Sequence, residues 1–248
     1  MGNAKTEKFN EEAAALRKAR DLDYAEYEKA GRVTGDVPRE RYVKLAFPRI
    51  KKEIIDGYLS IDDMTSTVSD ILDTIGINGA IPSSYIKPVI PGSKIAGTAV
   101  TIRNIPVRKT QTQGMIDHDS NVMFKDHAIG DPGDIQVYDF GGNLDVSCIG
   151  GIGSELCKDI GYAGAIIGGC CRDVNVIRRA GYPVFSCGTS PLAGKNRVEC
   201  IEVNGPVSLC GKVVQAGDLI MADDSGVCIV PCELAELVLE KSIEKSRS

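Results

Sequence analysis

The chain has 248 residues, 43% of them hydrophobic and 25% charged, which is ordinary for a soluble globular protein and enough for one large domain, alone or with an extension. The net charge of −5 and the pI near 5.2 argue against nucleic-acid or anionic-membrane partners held by bulk electrostatics. The apolar runs are too short to span a bilayer, and the first residues do not resemble a signal peptide.

The nine cysteines indicate a reduced, cytoplasmic protein. Their number is odd, no Cys-x-x-Cys pair occurs and the chain has two histidines, which argues against a zinc cage of the usual spacing. Most of them alternate with Val, Ile or Gly in apolar runs, where cysteine behaves as a small core residue. Cys170 or Cys171 could act as a nucleophile only if the fold brings a histidine base to it, because none is close in sequence.

Two parts of different texture follow one another along the chain. Residues 1–59 predict a helical arm and residues 60–248 a single α/β domain. The arm comprises a helix over 5–29, rich in Ala, Glu, Lys and Arg, a linker over 31–38, and a helical segment over 39–57 apart from Pro48.

Within the domain, a helix capped by Ser60 or Asp62 continues to Gly76, because its apolar residues 68, 71, 72 and 75 recur at helical spacing. From Lys94 the sequence alternates short apolar runs with glycine-rich turns. These runs predict strands over 95–102, 135–140, 198–203, 211–214, 219–222 and 227–230, and helices over 150–160, capped by Gly161, and 232–245.

The stretch 164–188 carries the strongest chemical signal. An apolar run ends at Gly168-Gly169, Arg172-Asp173 follow, and about two helical turns, 174–180, lead to a glycine where a helix usually ends. This order places an arginine and an aspartate at the carboxyl end of a strand and the start of a helix, where ligands of open α/β sheets collect. The alternative is that Asp173 is an ordinary N-cap and Arg172 a bystander.

Five motifs in this order resemble the RraA-like family, which includes class II pyruvate aldolases acting on 4-hydroxy-4-methyl-2-oxoglutarate and 4-carboxy-4-hydroxy-2-oxoadipate. The motifs cover roughly residues 60–232 and leave the N-terminal arm outside. They are TSTVSDILDTIG (65–76), PGSKIAGTAVTI (91–102), PGDIQVYDFGG (132–142), GGCCRDVNVIRRAGYPVF (169–185) and AGDLIMADDSGVCIVP (216–231).

The resemblance implies an α/β/β/α domain like the swivelling phosphohistidine domain, assembled as trimers or hexamers with sites between neighbouring subunits. It implies that Asp173 holds Mg²⁺ or Mn²⁺ largely through water, and that Arg172 contacts the 2-oxo oxygen of the substrate and its enolate. The amides of Gly151, Ile152 and Gly153, in the helix opened by Gly150, would receive the substrate carboxylate. Anion binding at such a helix start also follows from physical principles, and the alternative is that the glycines allow close packing on a strand.

Two departures from the aldolase pattern concern carboxylates. Gly151 stands where the aldolases usually have Asp or Glu, so a carboxylate is missing unless Glu155 or Asp145 replaces it. The aldolases also send a glutamate from the C-terminal tail into the neighbouring site, and here only Glu240 or Glu244 could serve.

Five other positions have open roles. Asp70 matches an acidic position that can face the neighbouring subunit's site, where it would take part in catalysis, or it is a solvated helix residue. Asp223 and Asp224 suit a metal, but turn chemistry explains them better. His118 and His127 are interpreted as surface or loop residues.

Three hypotheses follow. The first is a metal-dependent lyase that cleaves a small 4-hydroxy-2-oxo acid, releases pyruvate and decarboxylates oxaloacetate as a side activity. The second is a protein-binding regulator of ribonuclease activity, as the name-giving RraA proteins are. The third is related lyase chemistry on another 2-oxo acid, with Cys170, Cys171 and Cys187 forming part of the pocket wall.

Overall fold

A computed structural model describes residues 2–34, 36–116 and 127–246. The helices are α1 (Gly2–Lys29), α2 (Lys52–Leu59), α3 (Met64–Thr74), α4 (Gln111–Ile116), α5 (Gly151–Ile160), α6 (Val174–Ala180) and α7 (Ala235–Ser246), with single 3₁₀ turns at Arg39–Arg41, His127–Ile129 and Cys232–Leu234. The strands are β1 (Ala80–Pro82), β2 (Lys87–Pro88), β3 (Ile95–Pro106), β4 (Ile135–Asp139), β5 (Ser147–Ile149), β6 (Gly164–Cys171), β7 (Val184–Thr189), β8 (Val198–Val203), β9 (Val207–Leu209), β10 (Lys212–Val214), β11 (Leu219–Asp223) and β12 (Gly226–Val230).

Strand β3 joins two halves of a ten-stranded sheet. Its first residues pair antiparallel with β11, and its later ones pair parallel with β4 and antiparallel with β8. The path runs β1-β12-β11-β3-β4-β6-β7-β2, with β5 beside β6. Because β3 is long enough to belong to both halves, the sheet folds back and presents two β layers to each other.

Alternation along the strands divides the buried side chains into three clusters. Ile220 and Ala222 of β11 meet Ile135 and Val137 of β4 between the β layers. The opposite face of β11 packs with α2, α3 and α7, and the opposite face of β4 and β6 packs with α5, α6 and the end of α1. Successive side chains of a strand point to opposite faces, and here both faces are buried, as expected of strands that lie between two other layers. The α/β/β/α layering is therefore confirmed.

The predicted helix over 39–57 is wrong for most of its length. Only Lys52–Leu59 is α-helical, and a single 3₁₀ turn precedes an extended segment. There Tyr42 bridges to Val203 of β8, and the Ile50 N–H donates to Thr98 Oγ1 at 3.0 Å. Contacts with the sheet override a helical preference that Pro48 already weakens.

The helix predicted over 5–29 is confirmed by α1. Just after this helix, Arg32 attaches the arm to the domain. The Arg32 guanidinium donates to the carbonyls of Ala128, Ile129 and Gly130, at 2.7–3.0 Å, and pairs with Asp131 at 2.8 Å. Residues between 33 and 59 also bury side chains in the two helix-facing clusters. The division of the chain at residue 59 remains a prediction.

Strand β6 continues through the glycine pair that was expected to end it and reaches Cys171, whereas α6 and its left-handed terminal glycine, Gly181, follow the prediction. Among the described residues, no helix has both the length and the apolarity needed to cross a bilayer.

Candidate active site

Two helix starts meet at the carboxyl end of β6. Strand β5 runs parallel beside the end of β6, pairing Ile149 with Cys171, and the Arg172 N–H donates to the Ile149 carbonyl at 3.0 Å. Because α5 follows β5 and α6 follows β6 almost at once, the first turns of both helices lie side by side. The candidate residues Arg172 and Asp173 stand between them.

Asp173 adopts a left-handed backbone conformation, with φ 54° and ψ 40°. Its carbonyl accepts the first hydrogen bonds of α6, but its side chain makes no capping bond to that helix. Instead Oδ2 accepts the N–H of Gly151, the first residue of α5, at 3.0 Å. The N-cap interpretation is therefore wrong for the carboxylate, because an N-cap side chain reaches its own helix from extended backbone. A left-handed aspartate is uncommon, and such residues concentrate at functional sites.

Arg172 and Asp173 remain open to a ligand. Arg172 Nε lies 3.4 Å from Asp173 Oδ2, and each side chain keeps 41% of its surface exposed. This pair contributes little to stability at that exposure. The site thus presents a guanidinium fork and a carboxylate edge to solvent.

The two glycines at the start of α5 provide space. A Cβ on Gly150 would lie 2.5 Å from Asp173 Oδ2 and 3.0 Å from Arg172 Nε, although the extended backbone of Gly150 suits any residue. A Cβ on Gly151 would lie 2.7 Å from Val176 Cγ1 of α6. Gly150 therefore makes room for the acidic and basic side chains, and Gly151 makes room for the neighbouring helix. The carboxylate that the family resemblance leads one to expect at position 151 has no space here unless Val176 moves.

The next two amides of α5 supply donors. In the described part of the chain, the N–H groups of Ile152 and Gly153 donate to no protein group, as is usual in the first turn of a helix. Ile152 is 85% exposed. Free amides and the positive end of a ten-residue helix favour an anion at this position, on the side of α5 where Arg172 lies.

The donors at this site could hold a divalent cation only with few protein ligands. Among the described residues no group of three His, Cys, Asp or Glu side chains converges on one point. Asp173 has one oxygen occupied by Gly151 and the other without a protein partner among those residues. A single hard carboxylate, with water and a chelating substrate completing the shell, fits Mg²⁺ or Mn²⁺.

Asp70 is not brought to this site within one chain. It lies on α3, in the outer layer opposite α6, and its Oδ2 pairs with Lys245 Nζ at 2.7 Å. It borders a surface depression of about 320 Å³ whose lining includes the hydroxyls of Ser66, Ser69 and Ser225.

The four carboxylates considered as substitutes do not reach Arg172 or Asp173 in the described chain. Asp145 and Glu155 are exposed, and no contact joins them to the pair. Glu240 and Glu244 lie on α7 in the opposite outer layer. Among residues 2–34, 36–116 and 127–246, none of the four therefore supplies the expected second carboxylate.

The Asp-Asp turn has a structural role. Asp223 accepts the Thr65 N–H at 2.9 Å and its hydroxyl at 2.6 Å, so it caps the start of α3 from another part of the chain. Asp224 accepts the Gly92 N–H at 3.0 Å. Asp223 also accepts the N–H of Ser225 at 2.9 Å, which is the expected turn contact, whereas the Asp224 contact with Gly92 is long-range. The cap on α3 was missed because no local signal joins residues 158 positions apart.

One histidine contact was also missed. His127 is half-buried, with Nδ1 3.1 Å from Gln136 Nε2 and 3.5 Å from the Cys157 thiol. Burial raises the pKa of Cys157 to about 12, so this thiol is a core group and not a nucleophile. The Cys170 and Cys171 thiols contact the Leu144 carbonyl and a serine hydroxyl. His118 lies outside the described residues.

Comparisons with known proteins agree with this architecture. The chain is 34% identical over 181 residues to protein DlpA of Legionella pneumophila, covering 72% of this chain but only 28% of that protein. It is 28% identical to a putative 4-hydroxy-4-methyl-2-oxoglutarate aldolase of Halalkalibacterium halodurans, over 73% of this chain and 79% of that one.

Solved structures share the fold. An uncharacterized protein from Pseudomonas syringae pv. tomato superposes with a TM-score of 0.68 at 28% identity, over 81% of this chain and 90% of that one. RraAS2 of Streptomyces coelicolor, described as an unusual member of the RNase ES inhibitor RraA family, gives 0.67 at 24% identity, over 82% and 96%. The RraA-like family model, described as Aldolase/RraA, matches residues 65–229, and the chain belongs to this family.

Proposed function

We propose that the protein is a divalent-metal-dependent carbon–carbon lyase that cleaves a small 4-hydroxy-2-oxo acid and releases pyruvate. The observation that carries the proposal is the placement of Arg172 and Asp173 at the start of α5, where Asp173 accepts the Gly151 N–H and the next two amides have no protein partner among the described residues. Relatives named as putative 4-hydroxy-4-methyl-2-oxoglutarate aldolases support the substrate class.

Substrate binding follows from the donors. The 1-carboxylate of the substrate accepts the N–H groups of Ile152 and Gly153 at the positive end of α5. The 2-oxo oxygen faces the Arg172 guanidinium, whose planar fork holds an oxyanion better than an ammonium group does. Asp173, oriented by its bond to Gly151, is the hard ligand that would hold Mg²⁺ or Mn²⁺.

Cleavage is a retro-aldol step. A solvent water accepts the proton of the C4 hydroxyl, the O–H electron pair forms the C4 carbonyl, the C3–C4 pair forms the C2–C3 double bond of an enolate, and the charge rests on the former 2-oxo oxygen. Arg172 donates to that oxygen more strongly as charge develops, which lowers the barrier. Protonation at C3 then gives pyruvate. When bound, the metal supplies Lewis-acid stabilisation of the same charge, and oxaloacetate decarboxylation would use the same enolate.

The proposal extends to an oligomer with sites between subunits. Asp70 lies in the layer opposite Arg172, so it could approach an Arg172 only in a neighbouring copy. The 85% exposure of Ile152 beside the site gives an apolar surface that such a copy could cover. Light scattering coupled to size exclusion would distinguish a trimer or hexamer from a monomer.

The direct test is pyruvate release from 4-hydroxy-4-methyl-2-oxoglutarate and, separately, from oxaloacetate by metal-stripped protein, with and without Mg²⁺ or Mn²⁺. Asp173→Asn should abolish metal-dependent release, and it should fold because asparagine tolerates left-handed backbone. Asp159→Asn, an exposed change on α5, is the matched control and should behave as wild type. Unchanged release by Asp173→Asn would refute the assignment.

A second candidate is a non-catalytic protein-binding regulator of ribonuclease activity. The packing of Gly151 against Val176, which leaves no space for a second carboxylate, favours it. No pyruvate from either compound, together with inhibition of a purified endoribonuclease that persists in Arg172→Ala, would support the regulator over the lyase. A related lyase with a different 2-oxo acid would instead reveal itself by metal-dependent pyruvate or enolate products from other substrates.

A further inference from the structure

A pair of thiols outside the candidate site joins β7 to the β9–β10 hairpin. Cys187 on β7 and Cys210, in the turn between β9 and β10, have sulfur atoms 3.8 Å apart. In the part of the chain that the structure describes, no other two cysteine sulfurs are in hydrogen-bond contact. We infer that Cys187 and Cys210 are a modification site that forms a reversible intramolecular disulfide.

The turn that carries Cys210 is unusual for this residue. Cys210 has φ 47° and Gly211 has φ 80°, so both central residues of a two-residue hairpin are left-handed. Such turns strongly favour Asn-Gly or Asp-Gly, and cysteine is not a natural choice there. A residue that goes against the local preference and stands beside a second thiol points to a chemical role.

The β9–β10 hairpin that carries Cys210 is anchored by buried side chains and by a hydrogen bond to β4. Val207 and Leu209 of β9 are buried between the β layers, and the Ser208 N–H donates to Asp139 at 2.9 Å. Cys187 is fixed by its strand. Closing the sulfur–sulfur distance to the 2.05 Å of a disulfide therefore needs about 2 Å of movement, which side-chain torsions of the exposed Cys210 can supply.

Chemistry assigns the two thiols different roles. Cys210 is exposed whereas Cys187 is half-buried, and the contact between the two sulfurs favours a thiolate at the exposed one, so Cys210 attacks first. With a low-molecular-weight disulfide as oxidant, Cys210 Sγ attacks one sulfur and releases one small thiol. Cys187 then loses its proton and attacks Cys210 Sγ, releasing the second small thiol. The protein loses two electrons and two protons, and the oxidant becomes two thiols.

A disulfide between Cys187 and Cys210 would attach the hairpin to β7. The end of β7 is hydrogen-bonded to the end of β6, and Arg172 follows β6 directly. Residue 189 pairs with Cys171, and the Ser190 N–H donates to the Cys171 carbonyl at 3.0 Å. Oxidation is therefore expected to reduce the mobility of β7 and of the adjoining end of β6, which precedes Arg172. This inference does not depend on the lyase activity.

The experiment is peptide mapping after mild oxidation. Reduced protein is incubated with oxidised glutathione, alkylated under denaturing conditions and digested without reductant. Trypsin cleaves between the two cysteines, after Lys195 and Arg197, so a disulfide yields two joined peptides. We expect that joined pair in wild type and in Cys232→Ser, and its loss in Cys210→Ser. Cys232 is the matched control because it is also exposed.

Two results would overturn the inference. One is Cys210 recovered as a mixed disulfide with glutathione while Cys187 remains alkylated. The other is Cys210 joined to a second chain, seen as a dimer on a non-reducing gel. Wild-type protein alone decides between these and the expected product, so a misfolded variant cannot obscure the answer. Thermal unfolding adds a second readout: oxidised wild type should melt higher than reduced wild type, and reductant should reverse the shift.

Discussion

Replacing Gly150 with alanine should separate function from folding. The new Cβ would lie 2.5 Å from Asp173 Oδ2 and 3.0 Å from both Cγ and Nε of Arg172. Ordinary contact distances require the carboxylate oxygen to retreat by about 1 Å. The backbone of Gly150, with φ −133° and ψ −163°, accepts alanine without strain, so the perturbation falls on the two functional side chains.

The size of the effect follows from what the carboxylate loses. Its bond from the Gly151 N–H, 3.0 Å long, would break or lengthen. A hydrogen bond to a charged group contributes roughly 1.5–3 kcal/mol, and the exposed position favours the lower end. We expect the free energy of unfolding to fall by at most about 2 kcal/mol, while a misplaced catalytic carboxylate costs about 100-fold in rate.

Gly151→Ala is the matched control because its Cβ meets Val176 Cγ1, 2.7 Å away, and neither Arg172 nor Asp173. It should cost stability through overpacking, about 1–3 kcal/mol less any gain in helix propensity, and spare more of the activity. Pyruvate release and urea unfolding measure the two quantities. The amide resonance of Gly151 gives a readout independent of catalysis, since it should move in Gly150→Ala as it moves in Asp173→Asn.

A double-mutant cycle makes the reasoning refutable. If Gly150 acts only by leaving space for the carboxylate, adding Gly150→Ala to Asp173→Gly, which has no side chain to displace, should lower the free energy of unfolding much less than it does in wild type. Full additivity of the two losses, or wild-type activity in folded Gly150→Ala, would show that the space beside Gly150 does not matter.

Three further outcomes are expected. Arg172→Lys should reduce pyruvate release roughly 10²–10³-fold because it removes the fork on the enolate oxygen, whereas Arg179→Lys on α6 should not; equal rates would contradict this. Burial raises the pKa of Asp134 above 3.8, so its contribution to stability is present below that pH and is lost as pH rises through the raised pKa; Asp134→Asn should flatten that fall in urea denaturations across pH, and an unchanged slope would count against it. Tyr58→Phe should cost about 1 kcal/mol in unfolding free energy by removing a buried hydrogen bond to the Ala235 carbonyl 2.8 Å away, whereas Ser242→Ala, whose buried hydroxyl has no partner among the described residues, should be neutral or stabilising; the reverse order would refute the argument.

Sequence reasoning located the elements whose signals are local. The helix over 174–180 and its left-handed terminal Gly181 rest on short-range patterns, and the structure has both. The error at Gly168-Gly169 shows the limit of that reasoning, because glycine has two uses. Here a Cβ at 168 would lie 3.2 Å from the Tyr138 carbonyl, and one at 169 would lie 3.0 Å from Phe140 Cβ. The pair admits close neighbours within a strand, which depends on tertiary contacts.

The same limit explains the segment before α2 and the strands that were not predicted. Residues 42–51 follow the sheet because partners such as Val203 and Thr98 are supplied from far along the chain. Strands β1, β2, β5 and β9 have two or three residues each, too few to show a period. A segment can be predicted when it is long enough to show a period or carries a local signal such as a cap or a turn. The conformation of the other segments depends on burial against distant parts of the chain.

The Arg-Asp dipeptide could be recognised from sequence, but the way Asp173 is used could not. An aspartate between a strand and a helix satisfies the N-cap pattern, and extended backbone would have turned its carboxylate to its own helix. Strand β5, lying beside β6, instead places the start of a second helix within reach, and the left-handed backbone aims Oδ2 at it. That choice requires an amide donor at Gly151 and an empty position at Gly150, 22 and 23 residues earlier in the chain. Gly150-Gly151 and Arg172-Asp173 therefore act together, because the positive φ of Asp173 brings its carboxylate to the Gly151 amide.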